Sequence, residues 1–222
     1  MRGLEARARA VLDRHLLPAS PRPIAVALSG GGDSLALTLI ADSWARDAGR
    51  TLHILTVDHR LQPAAADWTR TCADVARRLD RPFRALAWEG DKPAAGLPAA
   101  ARAARHRLLA EAAREAGARV LLMGHTADDI LEAGRMRAAG ATTPDPRAWA
   151  PSPAWPEGRG LFVLRPLLDA GRADLRDWLT ARGEPWIDDP ANLDPRYARS
   201  RARAQPPGGA EPARAQETPP AL

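Results

Sequence analysis

Short apolar runs alternate with longer amphipathic segments along most of this chain. Five apolar runs have the length and composition of buried β-strands. They are residues 24–28, 51–59, 83–88, 119–124 and 161–164. Apolar residues at helical spacing predict six helices, at residues 4–16, 34–48, 64–79, 98–116, 127–139 and 172–182. This alternation predicts an α/β fold: a doubly wound, mostly parallel, Rossmann-like five-stranded sheet flanked by helices.

Polar side chains stand where four of the five predicted strands end. They are Ser29, Asp58 with His59, His125 and Arg165. Parallel sheets bind ligands beyond the carboxyl ends of their strands, because the loops from neighbouring strands meet there. We therefore expect one active cleft at this edge of the sheet.

A glycine turn, Ser29-Gly30-Gly31-Gly32-Asp33-Ser34, joins the first predicted strand to its helix. Such a turn directs unpaired backbone N–H groups at one spot, where the helix dipole favours an anion such as phosphate. Glycines leave room for phosphate oxygens, and Asp33 offers a carboxylate suited to Mg²⁺. The turn lacks both the lysine of a Walker A loop and the third glycine of a dinucleotide loop. A glycine turn without a ligand is the alternative.

A histidine and three acidic residues follow the fourth predicted strand. Asp129 and Glu132 lie three positions apart, and Asp128 and Glu132 four apart, so the acids can share one face of the first helical turn. Carboxylates placed over a triphosphate hold Mg²⁺ or position a nucleophile. Acids in a first turn also favour the helix dipole, by about 0.3–1 kcal/mol each, without any ligand. The nearby glycine turn and His125 favour the functional interpretation.

Composition excludes several classes of protein. A single cysteine, Cys72, excludes an internal disulfide and a Cys-x-x-Cys site. No apolar stretch reaches the length of a membrane span, and the charged first nine residues do not form a secretory signal, so we expect a cytoplasmic protein. The net charge of +5 at pH 7, carried by arginines and one lysine, Lys92, mildly favours a nucleic-acid partner.

One catalytic domain is expected over residues 1–203, because a chain of 222 residues can bury a full core. Residues 204–222 are rich in proline and glycine and lack apolar periodicity, which predicts a disordered tail. Residues 140–160 hold five prolines and two tryptophans. They form either a flap over the substrate or an ordered surface loop anchored by Trp149 and Trp155.

Several motifs, taken in order, resemble one family. The pattern S-G-G-x-D-S of the glycine turn resembles the pyrophosphate loop of the ATP pyrophosphatase superfamily. V-D-H after the second strand, H-x-x-D-D-x-x-E after the fourth and R-P-L-L after the fifth extend the resemblance to tRNA(Ile)-lysidine synthetase. A-R-x-x-R-H at residues 101–106 is similar to that family's A-R-x-x-R-Y, and D-P-x-N at residues 189–192 to its D-P-S/T-N. The resemblance spans residues 24–203.

The resemblance implies an adenine nucleotide alpha hydrolase type of fold and an ATP-dependent ligase. In that family, ATP and Mg²⁺ adenylate the C2 oxygen of the wobble cytidine in a tRNA(Ile) with a CAU anticodon. Free lysine then attacks C2, so that lysidine forms and AMP and pyrophosphate are released. The implied partners are this tRNA and lysine, and the question of a homodimer is left open.

The resemblance also implies residue roles. The implied catalytic residues are Asp33, Asp129, Glu132, Arg102, Arg105 and Arg165, with Asp33 and Asp129 as metal ligands. The implied ATP-binding residues are Ser29, Gly30, Gly31, Gly32, Asp33, Ser34, Asp58, His59 and His125. The implied tRNA-binding residues are Arg196, Arg199, Arg201 and Arg203. The alternative for Arg102 and Arg105 is a solvated helix face. The alternative for His59 and His125 is a structural role as caps of their strands.

Three positions depart from the family pattern. Ile130 and Ala133 stand where the family has Gln and Thr, and Arg60 where it has Gly. The family also continues into C-terminal domains that grip the tRNA, whereas this chain runs into its Pro/Gly tail. A catalytically silent, truncated nucleotide- or tRNA-binding remnant is therefore one alternative. Another pyrophosphate-loop enzyme, such as a tRNA thiolase, is a second, although the single cysteine argues against it.

Overall fold

The computed structural model of this chain describes residues 2–142, 144–189 and 201–202. The helices are α1 (Arg2–His15), α2 (Gly32–Asp47), α3 (Ala65–Arg78), α4 (Leu97–Glu115), α5 (Ala127–Ala138) and α6 (Arg172–Thr180). The strands are β1 (Ile24–Ala27), β2 (Leu52–Asp58), β3 (Phe83–Ala87), β4 (Val120–Leu122), β5 (Trp149–Pro151) and β6 (Phe162–Leu164). Every predicted helix and strand is present, and the predicted and observed ends differ by at most two residues.

The strands form one sheet in the order β3-β2-β1-β4-β6-β5. The pairs β1–β2, β1–β4, β2–β3 and β4–β6 are all parallel. The chain winds outward from β1 first on one side and then on the other, so the topological switch point lies between β1 and β4. Sheets of this kind bind ligands at that point. The predicted doubly wound, mostly parallel sheet is confirmed.

Among the described residues, strand β5 is a sixth strand, whereas the sequence pattern predicted five. It has three residues, ends in Pro151 and pairs antiparallel with β6 at the edge of the sheet. Proline is tolerated there because the outer side of an edge strand needs no ladder hydrogen bond. So short a strand forms through its pairing with β6, and its own residues carry no strand pattern.

Trp149 of β5 anchors the Pro/Trp segment at residues 140–160. Its ring stacks on Phe162, with 5.0 Å between ring centroids, and on His15, with 5.2 Å. Trp155 is 74% exposed, so its predicted role as a second anchor is wrong. The ordered-loop interpretation therefore holds for Trp149, and a flap over the substrate stays a prediction.

Apolar side chains cover both faces of the sheet. Leu12 of α1 and Leu37 of α2 belong to the core on one face, and Leu109 of α4 belongs to the core on the other. Strand β1 contributes to both, with Val26 on the first face and Ala25 on the second. A central parallel strand is buried on both faces and is therefore apolar without alternation. This burial holds the carboxyl end of β1, where the glycine turn begins.

Some predictions concern residues outside the described ranges. These are the tail at residues 204–222 and the predicted tRNA-binding residues Arg196, Arg199 and Arg203. Arg201 is described and is exposed. In the part of the chain that the structure describes, no helix combines the length and the apolar character needed to cross a membrane.

Candidate active site

The glycine turn links β1 to α2 at the switch point of the sheet. Ser34 Oγ accepts a hydrogen bond from the Ser29 backbone N–H (3.1 Å) and donates one to the Gly31 carbonyl (2.9 Å). Gly30 has a φ of +85°, a left-handed conformation that favours glycine. Gly31 is the N-cap residue of α2 and supplies no side-chain cap. The start of α2 is therefore suited to an anion such as phosphate.

Residues 186–189, which we call the closing segment, pack on this turn. The Ile187 N–H donates to the Gly30 carbonyl (3.0 Å). A Cβ atom on Gly30 would lie 2.3 Å from Ile187 Cδ1, so a side chain there would displace the closing segment. Trp186 packs beside Gly32, where its Cγ lies at an ordinary van der Waals distance of 3.5 Å from the place of a Cβ. The closing segment thus holds the turn from a distant part of the sequence.

Three predicted acids meet around one arginine, Arg172, and we call these four residues the acid cluster. Arg172 Nε donates to Asp33 Oδ2 at 3.0 Å. Its terminal nitrogens lie 2.8 Å from Glu132 Oε1 and 3.4 Å from Asp129 Oδ1. The Glu132 side chain is 3% exposed and that of Arg172 14%, so these ion pairs are largely shielded from water. The structure thus brings Asp33 together with the acids that follow β4.

Sequence reasoning missed Arg172. This arginine is the first residue of α6, and its backbone N–H donates to Asp128 Oδ2 at 2.7 Å. A positive charge at a helix N-terminus is disfavoured by the helix dipole. An arginine at the first position of a predicted helix therefore indicates an acidic partner elsewhere in the fold. This signal could have been found in the sequence.

Asp129 both caps a helix and contacts the acid cluster, so the capping and the functional interpretation of the acids after β4 both apply to it. Its Oδ2 accepts the Thr126 backbone N–H (2.8 Å) and the Thr126 hydroxyl (3.1 Å), which caps α5. Its Oδ1 faces Arg172. Because both oxygens are engaged, the orientation of this carboxylate is fixed by the protein itself.

Burial and charge shift the pKa values of Asp33 and Arg172 in opposite directions. Burial raises the pKa of Asp33, and the hydrogen bond and charge of Arg172 offset this only in part. Burial lowers the pKa of Arg172, but its hydrogen bonds with Glu132 and Asp33 outweigh burial and the net shift is upward. Arg172 therefore stays cationic, and Asp33 is held in its ionised form less firmly than an exposed aspartate.

A metal ion would need more ligands than this cluster offers. Within the described ranges, no three His, Cys, Asp or Glu side chains are arranged to hold a metal. Asp33 contacts Arg172 through Oδ2, whereas both oxygens of Asp129 are engaged, Oδ1 with Arg172 and Oδ2 with Thr126, so a metal ion would share these oxygens with their present partners. Mg²⁺ commonly binds one or two protein carboxylates together with phosphate oxygens and waters. The two aspartates therefore fit a Mg²⁺ ion delivered with a nucleotide.

A cavity of about 320 Å³ opens beside the glycine turn. Residues from the turn, β2, α3 and α4 line it, among them Ser29, Thr56, Asp58, His59, Trp68 and Pro98. Gln62 Nε2 donates to Asp189 Oδ1 (3.3 Å), and both residues belong to its lining. Apolar walls with a few polar groups are typical of nucleoside sites.

Asp58 and His59 end β2 at this cavity. Asp58 Oδ1 accepts the Arg60 N–H at 2.7 Å, and the His59 ring stands edge-on to Trp88 at 6.0 Å. Burial lowers the pKa of His59, and the charge of Arg105 lowers it further. Arg60 has a φ of +52°, a conformation that costs a residue other than glycine roughly 1–2 kcal/mol. This conformation explains why the family pattern has Gly at that position.

A second group, which we call the basic cluster, lies where β6 ends. Its members are Arg102, Arg105, His106, His125 and Arg165. Arg165 is 7% exposed, and its Nε donates to His125 Nδ1 at 3.1 Å. Because arginine has no acceptor, His125 Nδ1 is the unprotonated nitrogen of a neutral ring. The terminal Nη1 of Arg165 donates to the Arg147 carbonyl at 2.7 Å.

His106 is the most perturbed group of the basic cluster. It is 5% exposed, and its Nε2 has no hydrogen-bond partner among the described residues. Burial, together with the charges of Arg105, Arg102 and Arg165, lowers the pKa of His106 to about 3. The ring is therefore neutral at physiological pH, at a position where the family pattern has Tyr.

Two departures from the family pattern lie on α5. Ile130 is 36% exposed, so a longer polar side chain would reach solvent there. Ala133 is 4% exposed, so a threonine would have to bury its hydroxyl. With these two replacements present, all three acids of the cluster still contact Arg172.

A phosphate-suited turn at the switch point of a parallel sheet, flanked by acids and a nucleoside-sized cavity, defines an α/β nucleotide-binding protein. The chain belongs to the PP-loop domain family, whose model matches residues 4–206. Membership of this ATP-binding family implies the use of ATP.

Two curated relatives are tRNA(Ile)-lysidine synthases. The one from Caulobacter vibrioides is 61% identical over 196 residues, which cover 88% of this chain and 48% of that protein. The one from Hyphomonas neptunium is 42% identical over 207 residues, which cover 90% of this chain and 53% of that protein. The chain spans about half the length of the curated relatives it matches.

Solved structures share the fold at low identity. The U34-tRNA thiolase NcsA from Methanococcus maripaludis, described with its [4Fe-4S] cluster, has a TM-score of 0.74 at 16% identity, covering 91% of this chain and 70% of that one. NMN synthetase from Francisella tularensis has a TM-score of 0.57 at 12% identity, covering 83% of this chain and 71% of that one. At these identities the likeness establishes the fold alone.

Proposed function

We propose that this chain carries the catalytic part of a tRNA(Ile)-lysidine synthetase. It joins free lysine to C2 of the wobble cytidine of tRNA(Ile) with a CAU anticodon, through an adenylated intermediate, and releases AMP and pyrophosphate. One observation carries the proposal: Asp33 of the glycine turn and two acids that follow β4 converge on Arg172. The names of the curated relatives support the choice of substrate.

ATP lies across the turn in this proposal. Its nucleoside occupies the cavity beside Asp58 and His59, and its phosphates lie at the start of α2. The left-handed Gly30 and the N-cap Gly31 supply main-chain contacts. His125, held neutral by Arg165, is a further nucleotide contact.

The acid cluster receives the cations of the reaction. Asp33 and Asp129 would hold Mg²⁺, and the ion would supply neutralisation of phosphate charge. Glu132 and Asp129 hold the side-chain ammonium of lysine. That nitrogen must lose a proton before it can attack C2, and a carboxylate of the cluster can accept it.

The basic cluster balances negative charge. When ATP is cleaved between its α- and β-phosphates, negative charge develops on pyrophosphate, and later on AMP. Arg102, Arg105 and Arg165 stabilise that charge electrostatically, which is the larger part of catalysis in phosphoryl and nucleotidyl transfer.

The test is lysine incorporation into isoleucine tRNA with a CAU anticodon, measured with labelled lysine alongside pyrophosphate release. We expect one pyrophosphate for each lysine incorporated, and no incorporation into a control tRNA with uridine at the wobble position. Binding of ATP without incorporation would favour the silent remnant instead.

A tRNA thiolase fits less well, although a thiolase is among the structures with this fold. Cys72 is the sole cysteine of the sequence and is 0% exposed, with Sγ 3.8 Å from the Leu28 carbonyl. Burial raises the pKa of this thiol, which disfavours the reactive thiolate. Cluster-dependent sulfur transfer needs several cysteine ligands.

Arg196, Arg199, Arg201 and Arg203 contact the tRNA in this proposal, because four arginines in eight residues match a phosphate backbone. Reversing these charges should weaken tRNA binding. It should also reduce the slope of log affinity against log salt by about 0.7–0.9 for each phosphate that the variant no longer neutralises. Charge reversal at the exposed Arg77 of α3 is the control. An unchanged slope would mean that these arginines are solvated.

A further inference from the structure

We propose that Arg172 is a positioning residue of this reaction, whose guanidinium fixes the places of Asp33, Asp129 and Glu132 for the cations that bind there. This inference rests on the proposed function. Arg172 acts through the three carboxylates and does not itself contact the reacting atoms.

The geometry of the guanidinium supports this role. Each of its three nitrogens lies within 3.4 Å of a different carboxylate. Asp33 comes from α2, Asp129 and Glu132 come from α5, and Arg172 itself begins α6. The rigid planar fork of arginine sets the angles between these contacts. One side chain therefore links three helices where they face the glycine turn.

The main chain of the same residue adds a fourth link. The Arg172 N–H donates to Asp128 Oδ2 at 2.7 Å, which ties the start of α6 to the first turn of α5. Asp129 is held independently by its bonds to Thr126. The acids are therefore fixed relative to one another by contacts that need no ligand.

The charge of the cluster supports the same conclusion. Three carboxylates and one guanidinium leave two net negative charges in a place where Glu132 and Asp129 have side chains 3% and 9% exposed. Without Arg172, three like charges would repel one another in a poorly solvated site, and their side chains would move apart. With Arg172, the three carboxylates are held together at one place, where a divalent cation or an ammonium group can bind.

Three variants test the proposal: Arg172→Met, Arg172→Lys and the control Arg77→Met. Arg77 is an arginine on the surface of α3, 76% exposed and paired with Asp74. The measurements are kcat and the KM for lysine and for ATP in lysidine formation by the whole chain. A merely structural arginine would change the amount of folded protein and leave these constants unchanged.

We expect Arg172→Met to lower kcat by about 10²-fold, because acids displaced by about 1 Å lose that much. The KM for lysine should rise more than the KM for ATP, whose nucleoside binds elsewhere. Lysine at this position keeps one charge but lacks the fork, so Arg172→Lys should recover only a small part of kcat. Arg77→Met should stay within twofold of wild type. Constants within threefold of wild type in folded Arg172→Met would overturn the proposal.

A second measurement keeps this inference separate from the proposed function. Urea unfolding of Arg172→Met, Glu132→Gln and the double variant reports whether the arginine holds the acid. We expect Glu132→Gln to restore part of the midpoint lost in Arg172→Met, since a neutral side chain needs no cation. Additive losses would contradict the proposal. Wild-type protein that forms no lysidine would contradict the proposed function, and this cycle would then decide the role of Arg172 in the cluster.

Discussion

The acid cluster and the basic cluster lie at the same edge of the sheet but are built in opposite ways. In the acid cluster opposite charges meet, and the carboxylates raise the pKa of Arg172 despite its burial. In the basic cluster like charges meet, and Arg102, Arg105 and Arg165 add to burial in lowering the pKa of His106. The first cluster is ordered by its own attractions. In the proposed function, the second is the cluster that receives an anion such as a phosphate.

The largest effect should come from the acid cluster. Asp33→Ala removes the acid that the glycine turn contributes, so we expect lysine-dependent turnover to fall about 10³-fold. Asp67→Ala is the matched control, since Asp67 is a 65% exposed aspartate on α3. Near-normal product formation by Asp33→Ala would remove the metal role assigned to this residue.

Replacing one buried arginine of each cluster with methionine compares what Arg172 and Arg165 contribute to the free energy of unfolding. Arg172→Met leaves buried carboxylates without their cation, which should cost about 3–5 kcal/mol of unfolding free energy. Arg165→Met loses its hydrogen bonds to His125 and to the Arg147 carbonyl but relieves like-charge repulsion, so we expect only about 1–2 kcal/mol. Urea unfolding at pH 7 measures both. Equal losses would show that the two clusters do not differ in the way described.

The pH dependence of stability tests the basic cluster. The pKa of His106 falls from 6.5 to about 3 on folding, so the unfolded chain binds a proton that the folded chain does not. The stability contributed by neutral His106 is present above pH 6.5 and is lost as the pH falls toward 3. Compared with His106→Tyr, wild type should lose about 1–2 kcal/mol more between pH 7 and pH 5. Parallel stability curves for the two proteins would contradict this account.

The smallest expected effect is a rise in the pKa of His106 when one of the three neighbouring arginine charges is removed. Arg102→Met removes one repulsion while burial stays, so the pKa of His106 should rise by less than about one unit. NMR titration of the His106 ring measures this rise. Arg107→Met on the same helix is the control, because Arg107 is 43% exposed and paired with Glu111. A pKa of His106 unchanged by Arg102→Met would show that the charge of Arg102 does not contribute to the shift.

Local signals in the sequence predicted much of this fold and part of the candidate site. The run from Ile24 to Leu28 predicts a central strand, because a strand buried on both faces is apolar throughout. The glycine turn is contiguous in sequence, so its relation to α2 could be predicted from spacing alone. The two acids on α5 could be paired for the same reason, since helical geometry fixes neighbours three positions apart.

The features that were missed depend on residues far apart in sequence. Strand β5 exists through its pairing with β6, and its three residues have no pattern of their own. Arg172 lies 139 positions from Asp33 and 40 from Glu132, so no spacing rule connects them. Ile187 reaches the Gly30 carbonyl from an equally remote part of the chain. Such contacts follow from the packing of whole elements.

Local patterns along the chain therefore set the order of helices and strands, the phosphate-suited turn and the residue types available at the strand ends. Periodicity and turn chemistry act over a few residues and can be read locally. The folded arrangement is what makes three acids share one arginine and makes three arginines lower the pKa of one histidine. Those arrangements arise because the sheet brings the carboxyl ends of β1, β4 and β6 side by side, and charge then acts through space rather than along the chain.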